Sequence, residues 1–150
     1  MTNSILEAAE RYRQLGFFPI PIHPNTKVPS EAKWSEDRPQ WQNLNQAFAP
    51  DANIGIRLGK ASGGLVDIDL DCPQALTLAD ALLPSTEMIF GRASSPKSHR
   101  IYRCTDCNET RISYASSNTG SILEIRANKH QTVFPPSPNG RYQLGPNCIG

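Results

Sequence analysis

The sequence predicts an α+β domain in which a helix and the first strands are followed by mostly antiparallel strands. Helical periodicity is confined to two segments, and short strand-like runs between turn residues fill the second half of the chain. At 150 residues, with 38% hydrophobic and 19% charged residues, the chain fits one globular domain. We therefore treat residues 1–150 as a single domain.

An N-terminal helix is predicted over residues 4–15. Small and apolar side chains recur on one face at helical spacing, Glu7 stands at the capping-box distance from Ser4, and Gly16 supplies the stop. The next segment, 17–22, is β-branched and aromatic but contains two prolines, which favours a strand at the edge of a sheet.

Residues 23–50 are rich in proline and show little periodicity. They predict a long ordered loop with one short helix at about 41–48. Alternating apolar and polar residues then predict a strand at 53–58. A second strand at 65–70 follows the turn-forming residues 62–64.

A second helix is predicted from Pro73 to about residue 83. Proline is favoured at the first helical position, and alanine and leucine side chains, Leu82 among them, fall on one face. The remaining strand candidates share β-branched or aromatic residues bounded by turn formers. They are 86–90, 99–103, 121–126, 131–134 and 141–144.

The formal charge of +1 hides an uneven distribution. Residues 1–91 carry 7 basic and 11 acidic side chains, whereas residues 92–141 carry 8 basic and 3 acidic ones. The second part therefore suits anions and the first part suits cations. No apolar stretch is long enough to cross a membrane, and the N-terminus lacks the apolar core of a signal peptide. We expect a cytoplasmic protein with no membrane partner.

Three aspartates alternate with apolar residues in the segment 65–71. On a strand, Asp67, Asp69 and Asp71 project from one face, while the apolar residues between them enter the core. Such acids can share one divalent cation or a pair of them. A solvated strand face is the alternative, and Asp71 could instead cap the helix at Pro73. We favour Asp67 and Asp69 as metal ligands.

Two later segments carry further polar candidates. Residues 91–100 combine basic, imidazole and hydroxyl side chains, and a loop of this kind suits a triphosphate. For His99 within it, the alternative is a partly buried imidazole on a hairpin. Glu124 projects opposite its apolar neighbours, either as a partner of Arg126 on the same face or as a third metal ligand.

Together these segments resemble the N-terminal primase-polymerase (prim-pol) domain of bifunctional replication proteins from phages and plasmids, within the archaeo-eukaryotic primase superfamily. The resemblance covers nearly the whole chain, in order. The segments that carry it are AERY, LGFFPI, TKVP with Trp34, ANIGIRLG, SGGLVDID, HRIY, LEIR, QTVFPPS and GRY.

This resemblance implies the superfamily's fold, with mixed or antiparallel sheets flanked by helices and the active site between two sub-modules. It implies two-metal, template-directed nucleotidyl transfer in DNA replication, for primer synthesis, extension or both. The implied partners are a single-stranded DNA template, dNTPs or NTPs, and a helicase domain or protein. The chain would then be a shortened or minimal catalytic domain without the downstream helical or helicase region.

Residue by residue, Asp67 and Asp69 match the acid pair of the superfamily, His99 matches its histidine, and Glu124 matches its third acid. The resemblance makes these four the catalytic residues and the three acids the ligands of two Mg²⁺ or Mn²⁺ ions. The expected nucleotide-binding residues are Lys97, Ser98, His99, Arg100 and Arg126. The expected nucleic-acid-binding residues are Arg92, Arg103 and Lys129.

Two other functional classes stay open. A non-catalytic module that binds single-stranded nucleic acid or a nucleotide would not need the three acids to converge. A metal-dependent glycosyltransferase or phosphotransferase would also use a DxD motif. Zinc is not favoured, because Cys104 and Cys107 supply half of a four-ligand site and only His130 and Cys148 are obvious additions.

Overall fold

The computed structural model describes residues 4–118 and 120–137, and within them the chain is α+β. The helices are α1 (Ser4–Gln14) and α2 (Pro73–Leu82), with short 3₁₀ turns at Leu44–Gln46 and Lys60–Ser62. The strands are β1 (Phe18–Ile22), β2 (Asn53–Arg57), β3 (Leu65–Leu70), β4 (Ile89–Arg92), β5 (Ser95–Arg103), β6 (Arg111–Ser116), β7 (Gly120–Arg126) and β8 (Gln131–Phe134).

The strands form two antiparallel sheets. The first sheet has the order β1-β2-β8, and the second has the order β4-β5-β3-β7-β6. The prediction of an edge strand for the segment with two prolines is confirmed, since β1 lies at the edge of the first sheet. Strand β3, which carries the aspartates, is the central strand of the second sheet.

The main core lies between α1, the first sheet and one face of the second sheet. Its largest contributions come from Ile5 and Tyr12 of α1, Ile54 and Ile56 of β2, Phe134 of β8, and Leu65, Phe90 and Ile101 of the second sheet. Leu65, Asp67 and Asp69 follow one another at intervals of two residues along β3, so their side chains project from the same face. The acids therefore lie on the face of the second sheet that packs against this core. Val66 and Leu70 are also buried, but on the opposite face of β3.

Several elements differ from expectation. Residues 91–100 form a tight hairpin rather than a loop, because Arg92 pairs with Ser95 and leaves only residues 93–94 as the turn. Strand β6 was not expected. The face of α2 is less buried than its periodicity indicates, since Leu82 is 73% exposed. The predicted strand at 141–144 lies outside the described residues.

Both helices of the described ranges are too short to cross a bilayer, and no helix there has the length and apolar character that crossing requires.

Candidate active site

The central strand β3 brings five of the predicted residues together. Asp69 lies opposite His99 of β5 on one side and opposite Glu124 of β7 on the other. Asp67 lies opposite Arg126 of β7. Residues directly opposite each other in an antiparallel sheet project from the same face, with their Cβ atoms about 4.5–5.5 Å apart. The five side chains therefore share one face of the second sheet.

Asp67 is completely buried and is held by three partners. Thr132 Oγ1 donates a hydrogen bond of 2.5 Å to its Oδ2, Arg126 Nη2 donates one of 2.9 Å to the same oxygen, and His99 Nδ1 lies 3.1 Å away. Burial alone would raise the pKa of this carboxyl, but the charge and hydrogen bond of His99, followed by Arg126 and Thr132, outweigh it and lower the pKa. Asp67 is therefore a fixed, ionised carboxylate.

The contact with Asp67 also connects the two sheets. Thr132 belongs to β8 of the first sheet and is only 2% exposed. Its hydroxyl crosses from the first sheet to the central strand of the second. The acid cluster thus begins where the two sheets meet.

The negative charge of Asp69 is less well balanced by neighbouring positive groups than that of Asp67. Its side chain is 17% exposed; Arg126 Nη2 donates to Oδ2 at 2.7 Å, and His99 Nδ1 lies 3.5 Å from Oδ1. Burial raises the pKa of this carboxyl. The positive charges of His99 and Arg126 lower it, and repulsion from Asp67 and Asp71 raises it again. The net result is a raised pKa. Asp69 is therefore a carboxylate that additional positive charge would stabilise.

Glu124 completes the set of three acids on this face. Its Oε1 lies 3.8 Å from Arg111 Nη1 and accepts a hydrogen bond of 3.3 Å from Ser113 Oγ, and its side chain is 25% exposed. The sequence offered Arg126 as its partner. In the structure, the ion pairs of Arg126 are with the two aspartates and the ion pair of Glu124 is with Arg111.

The chemistry of the donor set suits a hard divalent cation, whereas the spacing of the three carboxylates in this structure does not group them around one. Three carboxylates on one face supply the oxygen ligands that Mg²⁺ and Mn²⁺ prefer. Arg126 Nη2 lies within 2.9 Å of both aspartates, which marks a point where Asp67 and Asp69 together stabilise positive charge. Across residues 4–118 and 120–137, no three His, Cys, Asp or Glu side chains are grouped closely enough to hold a metal ion. The three acids are neighbours in the register of the sheet, but in this structure the oxygens of the two aspartates contact Arg126 and His99.

A cleft of about 340 Å³ opens beside Asp69. Its polar lining consists of Asp69, Asp71, Lys27, Arg92, Ser94, Ser95, Ser98 and His99. Helix α2 begins at this cleft with Cys72 and Pro73, so the partial positive charge of a helix N-terminus adds to the basic side chains. A larger and more open groove of about 490 Å³, between α1 and residues 42–45, contains none of the predicted site residues.

A close backbone approach shapes the hairpin wall of the cleft. A Cβ atom on Gly91 would lie 2.0 Å from the carbonyl oxygen of Ser95 and 2.7 Å from Ser98 Oγ. Only glycine permits this approach without a backbone shift. This close packing lets the serine side chains of the hairpin line the cleft together with His99.

The structure places some of the predicted phosphate-binding residues at the cleft and others away from it. Arg92, Ser98 and His99 line the cleft. Lys97 is exposed and does not line it. Arg100 lies on the opposite face of the sheet from His99, where its Nη2 donates a hydrogen bond of 2.6 Å to Asp80 of α2.

The two remaining predicted nucleic-acid-binding residues lie apart from the acid cluster. Arg103 Nη1 donates hydrogen bonds to the carbonyl oxygens of Ser62 and Gly63, at 3.4 and 2.8 Å. It therefore holds the turn before β3. Lys129 is exposed in the turn between β7 and β8, at a φ of 61°.

Two contributors to the site were not identified from the sequence. The alternation of side chains along β8 gives the face on which Thr132 lies. Only the packing of the first sheet against the second shows that it reaches Asp67. Lys27 lies in the proline-rich loop after β1, about forty residues before the aspartates, and still lines the cleft. The sequence feature that could have indicated Lys27 is its position between Pro24 and Pro29, two prolines that restrict the conformation of this loop.

The cysteines within the described ranges are free thiols. Cys72 is buried and its Sγ caps α2 by accepting a hydrogen bond from the backbone of Ala75, at 3.4 Å. Cys104 is exposed and Cys107 is half-buried. Cys148, the further zinc candidate, lies outside the described residues.

A comparison with known families identifies one match. The model of the Prim-Pol family, described as the N-terminal part of bifunctional DNA primase/polymerase, matches residues 8–148. No curated protein and no solved structure matches the chain. The matched range includes both sheets and all of the predicted site residues.

Proposed function

Because the chain belongs to the Prim-Pol family of bifunctional DNA primase/polymerase N-terminal domains, we propose that it catalyses template-directed nucleotidyl transfer in DNA replication. The substrates are a dNTP or NTP and a strand, or a first nucleotide, on single-stranded DNA. One observation carries this proposal: Asp67, Asp69, Glu124 and His99 share one sheet face beside a cleft that is lined by basic and hydroxyl side chains.

In this proposal the three acids bind Mg²⁺ or Mn²⁺. Bound ions would lower the pKa of the attacking hydroxyl and neutralise the charge on the phosphates. Asp67 serves as the fixed ligand, because its burial and its contacts with Thr132 and His99 allow it little movement. Asp69 is closer to solvent and faces the cleft. Glu124, half-buried on the neighbouring strand, supplies the third carboxylate.

The cleft beside Asp69 accommodates the triphosphate. Lys27 of the loop after β1 and Arg92 of the hairpin bring positive charge to the cleft, and the serines of the hairpin offer hydroxyl donors. His99 lines the same cleft while its Nδ1 faces Asp67, which fixes the orientation of the ring. Together these groups hold the phosphates next to the acids, and positioning of this kind is the main source of rate in phosphoryl transfer.

Primer extension and de novo synthesis, with wild type beside Asp67→Ala/Asp69→Ala, test the proposal. The control is Asp106→Ala, which removes one carboxylate from an exposed turn. We expect product from wild type and the control and at least a hundredfold less from the double variant, since loss of metal ligands removes the charge stabilisation. Circular dichroism checks that each variant is folded, and Glu124→Gln provides a milder change of the same site.

Equal product from wild type and the double variant would refute the assignment of the aspartates. Nucleotide or single-stranded DNA binding without product from any of the proteins would favour the non-catalytic module instead. Transfer of sugar or phosphate to another acceptor would favour the DxD transferase class.

A further inference from the structure

Arg126 bridges the two aspartates of the acid cluster. A single nitrogen, Nη2, donates to Asp67 Oδ2 at 2.9 Å and to Asp69 Oδ2 at 2.7 Å. The side chain is 16% exposed, so solvent screens these contacts only in part. The guanidinium therefore supplies positive charge to two adjacent carboxylates, one fully buried and one 17% exposed.

A divalent cation shared by Asp67 and Asp69 competes with Arg126 for their oxygens, because Oδ1 of each aspartate faces His99 Nδ1, at 3.3 and 3.5 Å. The oxygen Oδ2 of each aspartate is already an acceptor for Arg126. A metal ion and a guanidinium repel each other, and both cannot occupy the space between the two carboxylates. Metal binding at this pair therefore requires that Arg126 move away from it.

The surroundings of Arg126 favour an anion once it leaves the aspartates. Arg111 lies on the neighbouring strand, directly opposite Arg126 in the register. Burial lowers the pKa of His130 nearby, and the positive charges of Arg126 and Arg111 lower it further. The acid beside these groups, Glu124, raises the pKa of His130 and is already paired with Arg111, so a phosphate is the favourable partner for a displaced guanidinium.

We propose that Arg126 is an internal counter-cation of the Asp67–Asp69 pair, which a divalent ion displaces and which then binds the phosphates of the incoming nucleotide. This inference rests on the proposed function. The exchange keeps the acids neutralised before the substrates arrive. It also makes binding of the metal and binding of the nucleotide mutually favourable, because each is a partner for one side of the broken ion pair.

Direct titration of Mn²⁺ tests the exchange, with the free ion measured by electron paramagnetic resonance. The variant is Arg126→Met. The matched control is Arg11→Met, which removes the same charge from an exposed residue of helix α1. Without nucleotide, we expect Arg126→Met to bind Mn²⁺ roughly ten- to a hundredfold more tightly than wild type, the equivalent of one lost charge-assisted interaction. Arg11→Met should change the affinity by less than about threefold.

A second titration in the presence of dATP measures the coupling. In wild type, dATP should tighten Mn²⁺ binding, and in Arg126→Met this enhancement should shrink by roughly tenfold. If Arg126→Met unfolds without metal, thermal melts replace the titration, and Mn²⁺ should raise the Tm of the variant more than that of wild type. Arg126→Lys keeps one charged nitrogen and should retain an affinity close to that of wild type.

The outcomes separate this inference from the proposed function. If Arg126→Met binds Mn²⁺ no more tightly than wild type or Arg11→Met, while Asp67→Asn/Asp69→Asn loses Mn²⁺, the exchange is refuted and the metal assignment stands. If Asp67→Asn/Asp69→Asn binds Mn²⁺ as wild type does, the metal assignment of the proposed function fails as well.

Discussion

Substitution of Thr132 by valine tests whether one hydroxyl from the first sheet stabilises the buried acid of the second. The two side chains have nearly the same shape, so the change removes the 2.5 Å hydrogen bond to Asp67 and leaves the packing in place. Thr132 is 2% exposed and Asp67 is 0% exposed, so water cannot replace the lost donor. We expect a measurable loss of stability at neutral pH.

The size of the loss follows from the type of bond. A hydrogen bond to a charged group contributes roughly 1.5–3 kcal/mol, and about 2 kcal/mol is a reasonable expectation for this one. For a domain of this size, about 2 kcal/mol lowers the Tm by roughly 4–8 °C. Thr77→Val is the control, because Thr77 Oγ1 donates to the neutral carbonyl oxygen of Pro73 at 2.9 Å. The control should cost about 1 kcal/mol.

The loss of stability caused by Thr132→Val should depend on pH in a definite direction. The pKa of Asp67 is lowered in the folded protein, so its contacts stabilise the fold above the ordinary range of an aspartate and are lost as the pH falls through the lowered pKa. The cost of Thr132→Val should therefore be largest near neutral pH and approach that of the control in acid. Urea unfolding at both pH values measures it. A cost equal to that of Thr77→Val at neutral pH, or one that does not shrink in acid, would refute the reasoning.

Two further predictions concern the cleft and the opposite face of the second sheet. Lys27→Met should weaken dNTP binding by roughly tenfold, through the loss of one charge-assisted contact, whereas Lys97→Met should have little effect because Lys97 does not line the cleft; fluorescence titration with a labelled dNTP measures both. Asp80→Asn should lower stability at neutral pH, since Arg100 is only 3% exposed and loses its anionic partner. The hydrogen bond and charge of Arg100 lower the pKa of Asp80, so the difference from wild type should disappear in urea unfolding as the pH falls through that value; a difference that persists in acid would contradict the assignment.

The alternation of β3 was predictable because a strand has a side-chain period of two and its bounds were clear from the sequence. That rule places Asp67 and Asp69 on one face without any knowledge of their neighbours. It does not show that His99 and Glu124 lie opposite Asp69, since that requires the pairing of β3 with β5 and β7. The resemblance to the prim-pol domain supplied those two residues.

The same rule bears on residues 91–100, for which the composition predicts a loop although a strand is predicted at 99–103. Once this segment is a hairpin, His99 and Arg100 must point to opposite faces, and Arg100 reaches α2 instead of the cleft. Lys27 and Thr132 depend on how the first sheet packs against the second. Contacts of that kind join residues far apart in sequence, and no local pattern encodes them.

The position of β3 within its sheet also determines how the site comes apart. Strands β4 and β6 are the edges of the second sheet, whereas β3 is hydrogen-bonded on both sides. Opening of the edges or of the residues 93–94 turn can expose the cleft without separating the aspartates. The amides of β3 should be among the slowest in the protein to exchange with deuterium, so the acid pair persists until the sheet as a whole unfolds.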